Sequence, residues 1–224
     1  MDWVRHVMAF FALGLEKVSL FSNREIIGSA EVRFHSFVAD EQLSLPGAEA
    51  IQTERDPAAR REIVRELVPA VIGKWETIPI QNIPDRHTFT FGDSGRILYR
   101  SSIIPTSLDW MMLVIEDDRD IQDLGSDIEE FFTDDRLDNA AGAIMTLAGV
   151  ASSPATAAGI VLGKMVVKGI TFVTQNNEDD QLGVIEQSFI RPLHYPAGTR
   201  HGVSVGDLSG NMWYDYFISG TNEI

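Results

Sequence analysis

The run NAAGAIMTLAGVASSPATAAGIVLGKMVVKGITFV, Asn139 to Val173, is 35 residues long and carries only two charged side chains, Lys164 and Lys168. Ser152-Ser153-Pro154 divides it into two apolar arms rich in Ala and Gly. Asp138 or Asn139 can cap a first helix that runs to about Val150, and the Ser-Ser-Pro step supplies a second cap with proline in the first turn. The second arm passes through Ala157, Gly159, Ile160, Gly163 and Val167 toward Gly169. The run therefore predicts a helical hairpin, bounded at 127–168 and inserted in a larger fold. Gly159 and Gly163 lie about one helical turn apart, which lets a neighbouring backbone approach closely and makes them the candidate interface residues. Lys164 and Lys168, at a four-residue step, give the second arm one cationic edge.

Each arm holds about 12 to 15 residues before a break, short of the roughly 20 a membrane-spanning helix needs. The expectation is a hairpin packed on the protein's own core, where each Leu- or Ile-sized side chain contributes about 1.5–3 kcal/mol. Any face left uncovered becomes a contact for a second subunit or a protein partner, because large apolar patches rarely persist on monomers. Insertion of the hairpin into a bilayer is the alternative.

Outside this insertion the pattern has period two. Ala30-Glu-Val-Arg-Phe-His-Ser-Phe-Val38 alternates small or apolar with polar residues and reads as a strand with one wet face. Val4 to Phe21, Trp110 to Ile115, Ile170 to Thr174, Val184 to Ile190, Val203 to Val205 and Met212 to Ser219 continue the β pattern. Thr88 to Phe91 and Arg96 to Arg100 flank Gly92-Asp-Ser-Gly95 and predict a hairpin. Asp56-Pro57 begins a short helix with Ile63, Leu67 and Val71 on one side, expected to end or kink at Pro69. These elements predict one mainly β domain over 1–224, an antiparallel β-sandwich carrying the helical insertion.

The chain has 18 basic and 33 acidic residues, a formal net charge of −15. That charge opposes binding to phosphate backbones, so no nucleic-acid partner is expected. With no cysteine, disulfide scaffolds, thiolate metal sites and Cys nucleophiles are excluded. At 224 residues the chain can bury a sizeable core without staples. Arg5 and His6 precede the apolar run Val7 to Leu15, and Ala12-Leu-Gly14 has the small residues of a cleavage site. The run is expected to be the first core strand and not a cleaved leader, which favours the cytoplasm.

Two acidic segments flank the apolar run, Ile115 to Glu129 and Asn176 to Glu186, each with a Leu-Gly pair followed by Ile-Glu. In the first, Met112-Leu-Val-Ile-Glu-Asp-Asp-Arg-Asp-Ile-Gln-Asp-Leu-Gly125 leads from a strand into an acidic loop and a glycine turn. This stretch resembles the calcium-loop strand of C2 domains, a family of β-sandwiches that gather loop aspartates around calcium at one end. The resemblance implies a C2-like sandwich, with Asp118 and Asp120 as the closely spaced aspartates, Asp123 as the later one and Gly125 as the turn glycine. Calcium takes six to eight oxygen ligands in flexible geometry, so Glu178, Asp179 and Asp180 of the second segment complete the candidate metal set. A solvated acidic surface is the competing reading.

Other motifs lack their chemical context. Gly202-Val-Ser-Val-Gly206 spells a nucleophile elbow, yet no histidine follows Ser204. His194 and His201 bracket a loop but offer zinc two ligands where a catalytic site wants three. The function expected is a non-enzymatic binding or assembly module with calcium at the acidic loops and a partner or homo-oligomer contact through the hairpin. A membrane-active protein and an unrecognised hydrolase are the alternatives.

Overall fold

The structure is a computed structural model and describes residues 9–22, 30–116, 125, 128–151, 153–176, 180–196 and 198–222. It is mainly β, with two antiparallel sheets face to face and helices over the outer side of one of them.

The apolar run Trp110 to Ile115 lies within strand β6 (Ser107–Glu116), which pairs with β2 (Ala30–Asp40) and β7 (Asp180–Ile190). With β3 (Glu76–Ile83) beyond β2, these strands form a four-stranded sheet in the order β3-β2-β6-β7. A strand apolar at every position suits a sheet covered on both faces. Leu108, Trp110, Met112 and Val114 join the core between the sheets, whereas Met111, Leu113 and Ile115 join the core beneath the helices.

The opposing sheet is built on β1 (Ala9–Leu20), flanked by β9 (Met212–Asn222) and then β8 (Gly198–Gly206). On its other side β1 pairs with both β4 (Thr88–Thr90) and β5 (Arg96–Ser101). The run Val7 to Leu15 thus enters the core as expected from Ala9 onward. The hairpin predicted around Gly92-Asp-Ser-Gly95 is not formed: β4 and β5 follow one another along the same edge of β1. The glycine-rich turn lifts the chain out of the ladder and returns it to the same partner. Trp110 meets Tyr214 edge-on at 5.6 Å between ring centroids, joining the two sheets through the middle of the sandwich.

The helical layer begins with the single turn α1 (Ala50–Thr53) and α2 (Pro57–Ile72). The Asp56 side chain accepts from Ala58 N at 3.1 Å, capping α2 with Pro57 in its first turn. Pro69 neither ends nor shortens this helix. It lies exposed in the last turn, so only three residues follow it and little ladder is lost.

A 3₁₀ turn (Glu129–Phe131) leads into α3 (Asp134–Ala148), which starts a turn before the predicted Asp138 or Asn139 cap. Arg61 on α2 bonds both Asp134 and Asp138, so the acidic start of α3 serves the neighbouring helix. Beyond the turn at 149–150 the chain enters α4 (Pro154–Asn176), where Ser153 Oγ accepts from Thr156 N at 3.0 Å as the second cap read from sequence. At 23 residues α4 exceeds the predicted arm and absorbs Ile170 to Thr174, assigned above to a strand. Ile170 and Val173 are buried there against the same core as Leu162 and Val166. Helical continuation keeps all four on one face, which an extended strand cannot do. A last single turn, α5 (Arg191–His194), connects β7 to β8.

Gly159 and Gly163 face the protein's own sheet. A Cβ on Gly159 lies 2.2 Å from Leu43 Cδ2, and one on Gly163 lies 2.8 Å from Met111 Sδ and 3.0 Å from the Phe37 ring. The close approach read as a subunit contact is the docking of α4 on β2 and β6. Thr156 reinforces it, its hydroxyl donating to the Asp40 carbonyl at 2.8 Å. Gly163→Leu is expected to destabilise the fold by about 1–3 kcal/mol or more through overpacking. Gly159→Ala should be milder than Gly163→Ala, because the flexible end of Leu43 yields more easily than the Phe37 ring. Urea denaturation of the three variants measures the order; a Gly163→Leu midpoint equal to wild type would refute this packing.

Candidate functional site

Strand register fixes the framework of the acidic end. Glu116, the last residue of β6, is the Cα partner of Asp180, the first of β7. The two acidic segments therefore leave from, and return to, adjacent positions at one end of the four-stranded sheet. Asp118, Asp120, Asp123, Glu178 and Asp179 lie outside the described residues, as does the side chain of Asp180. Among the described residues no group of three or more histidines and carboxylates is arranged to hold a metal. Gly125, the turn glycine of the first segment, lies against Ile72 at the end of α2, where an added Cβ meets the Ile72 side chain at 3.5 Å.

The serine and histidine motifs resolve into structural roles. Ser204 has a φ of 51°, the left-handed backbone of a nucleophile elbow, but it sits where the β8 register shifts against β9. Its N–H donates to Asp215 Oδ1 at 2.6 Å, and the chain continues as strand with no helix behind it. The strained conformation belongs to a β-bulge. His201 directs Nδ1 to Glu16 Oε2 at 3.1 Å, while His194 Nδ1 accepts from Ile190 N at 2.8 Å and closes α5. The two imidazoles are thus engaged separately, one across the outer sheet face and one within its own turn.

A buried polar cluster at the other end of β2 has no counterpart in the sequence reading. Asp40, 3% exposed, accepts from Gln42 N at 3.1 Å through Oδ1 and from the Tyr99 hydroxyl at 2.5 Å through Oδ2. Burial raises the Asp40 pKa above the ordinary aspartate value against the opposing pull of both hydrogen bonds. Tyr99 is also raised, by burial first and then by its bond to Asp40, so it remains a donor. Beside them the Tyr195 hydroxyl and Glu41 Oε2 are buried with no hydrogen-bond partner among the described residues. A tyrosine whose pKa is pushed up by burial is a poor base and nucleophile.

Two hollows lined by described residues mark the helical layer. The larger, about 760 Å³, lies between the end of α2 and the segment before α3, with Arg65, Ile72, Glu129 and Phe132 in its lining. Its arginine is already engaged by Glu62 and Asp134. The second, about 410 Å³, is a trough between α3 and α4, floored by Ala140, Ala143, Val161 and Met165 and edged by Arg136, Lys164 and Lys168. The lysine pair was visible in the sequence as a cationic edge. Arg136 was not, because its place opposite that edge follows from the earlier start of α3. Comparison with protein-family models, curated proteins and solved structures returns no match.

Asp40 sets a pH-dependent stability whose sign is fixed by its raised pKa. Between the unfolded value near 3.8 and the higher folded value, the native state holds a proton that the unfolded chain has released. Stability from this group is full below that window and falls as pH rises through it. Tyr99→Phe removes a donor to the ionised form and should raise Asp40 further. The variant is expected to cost about 1.5–3 kcal/mol at neutral pH and less in acid below the window. Equal losses at both ends of a pH series of denaturation curves would contradict the assignment.

Proposed function

We propose that the chain is a non-enzymatic binding module, a C2-like sandwich whose acidic segments share calcium and whose α3–α4 hairpin contacts a second copy or a protein partner. The carrying observation is the in-register pairing of Glu116 with Asp180, which anchors both acidic segments to adjacent strands at one sheet end. Asp118, Asp120 and Asp123 on one segment, with Glu178, Asp179 and Asp180 on the other, supply only oxygen ligands, as calcium requires. Sharing a divalent cation relieves the repulsion that six carboxylates impose on one another.

The assembly half of the proposal draws on what the helical layer leaves open. Its broad apolar face is spent on the four-stranded sheet, but Met145 and Val150 are 39% and 83% exposed near the turn between α3 and α4. A contact at this turn buries apolar surface without disturbing the core.

One observation favours membrane activity as a second reading. Pro154 to Thr174 is a 21-residue helical stretch with mean hydropathy 1.5, long and apolar enough to cross a bilayer. In its most apolar 18-residue window, 61% of the residues are buried within the protein. Its withdrawal uncovers Phe37, Met111 and Leu113, so insertion has to offset the loss of the core beneath α4.

Thermal melting in calcium and in chelator tests the proposal. Calcium at one hundred times its dissociation constant stabilises the native state by about 2.7 kcal/mol, and Asp118→Asn/Asp120→Asn should abolish the response. Light scattering should report a mass above the monomer that Val150→Asp reduces. Coincident wild-type melts sink the cation site, and a monomeric mass at all concentrations sinks the assembly contact. Dye release from liposomes in place of both responses assigns the hairpin to the membrane.

A further inference from the structure

The trough between α3 and α4 has a charge opposite to that of the molecule. Its described lining includes three cations, Arg136, Lys164 and Lys168, and no carboxylate, in a chain of net charge −15. On α2, by contrast, Arg61 is neutralised by Asp134 and Asp138 and Arg65 by Glu62 and Asp134. Arg136 and Lys168 have no carboxylate at ion-pair distance among the described residues. Lys164 has only Glu186, at 3.6 Å.

Arg136 is also held in place. Its guanidinium lies 3.9 Å from the centre of the Phe131 ring and donates through Nη1 to the Phe131 carbonyl at 2.8 Å. A cation stacked on an aromatic face and fixed by one hydrogen bond retains donors for an anionic ligand at little ordering cost. The floor between the cations is apolar, because Ala140 and Ala143 are too small to fill the space facing Val161 and Met165. The trough, about 410 Å³, has the size of a small-ligand site.

We infer that this trough binds a medium-chain carboxylate, an anionic amphiphile whose head group meets Arg136 and Lys168 and whose alkyl chain lies along Ala140, Ala143, Val161 and Met165. The lining runs from Arg136 to Ala143 on α3 and from Lys168 back to Val161 on α4, a rise of seven residue steps on each helix or roughly 10 Å of groove at 1.5 Å per residue. Arg136 and Lys168 at one end, with Lys164 along the edge and an apolar floor of Ala140, Ala143, Val161 and Met165, select a head and a tail together. A short anion lacks the tail contacts, and a neutral detergent lacks the ion pair. The site is independent of the acidic end and needs no calcium.

Isothermal titration of the full chain with decanoate in chelator tests this. Saturable binding of one decanoate per chain is expected, weaker by about tenfold or more for butyrate and for the neutral decyl maltoside. Lys168→Glu, at an exposed position with no ion pair among the described residues, should weaken decanoate by a similar factor. Ala143→Trp fills the trough from an exposed site and should abolish binding while leaving the thermal melt unchanged. The inference is overturned if wild type shows no saturable decanoate binding, if both variants bind like wild type, or if the chain binds only anionic vesicles and ignores free decanoate.

Discussion

Burial of β6 on both faces is the constraint from which the rest of the architecture follows. A strand reading Trp-Met-Met-Leu-Val-Ile from Trp110 to Ile115 cannot lie at a surface, because each face carries large apolar side chains. One face is met by the opposing sheet, through Tyr214, Ile218, Leu13 and Leu15. The other demands a second cover, and only a helical layer supplies it without presenting a new sheet edge. Small residues on α4 then become a requirement, since Phe37 and Met111 already stand up from the sheet. Gly159 and Gly163 let the helix axis come down onto them.

The same constraint explains what was legible in the sequence. The alternating runs and the apolar insertion were visible because periodicity is local: β1, β2, β6, β7 and β9 stand where their patterns put them, and the Asp56 and Ser153 caps begin the helices read from them. The misreadings came from tertiary context. Ile170 to Thr174 is β-branched enough to suggest a strand, but its apolar positions continue the buried face of α4. Gly92-Asp-Ser-Gly95 has hairpin composition, yet β1 is long enough to pair with the segments on both sides of it. Local turn chemistry specifies a turn; it does not say which strand receives the chain afterward.

Site residues were less legible for a different reason. Asp40 and Tyr99 are 59 positions apart and meet only because β5 is carried to the end of β2 by the stacking of two sheets. Arg136 joins the lysine edge of α4 only because α3 begins at Asp134 and sets its phase. Spacing within one element announces a pair such as Lys164 and Lys168, whereas cross-element pairs require the topology first.

The distribution of charge completes the connection between cover and binding. In the sequence carboxylates are concentrated in the segments after β6 and before β7 and at the start of α3, where Arg61 and Arg65 neutralise Asp134. On the outer helical face Arg136 and Lys168 have no such partner among the described residues and Lys164 has only Glu186, while α4 keeps its sheet-facing side apolar or small to cover β6. Covering the sheet therefore pushes the only charges of the apolar run, Lys164 and Lys168, to the side where α4 meets α3. There they border a trough floored by Ala140 and Ala143 of α3 and Val161 and Met165 of α4. A helix selected to seal one core thus creates, on its opposite edge, a shallow trough with a charged rim and an apolar floor.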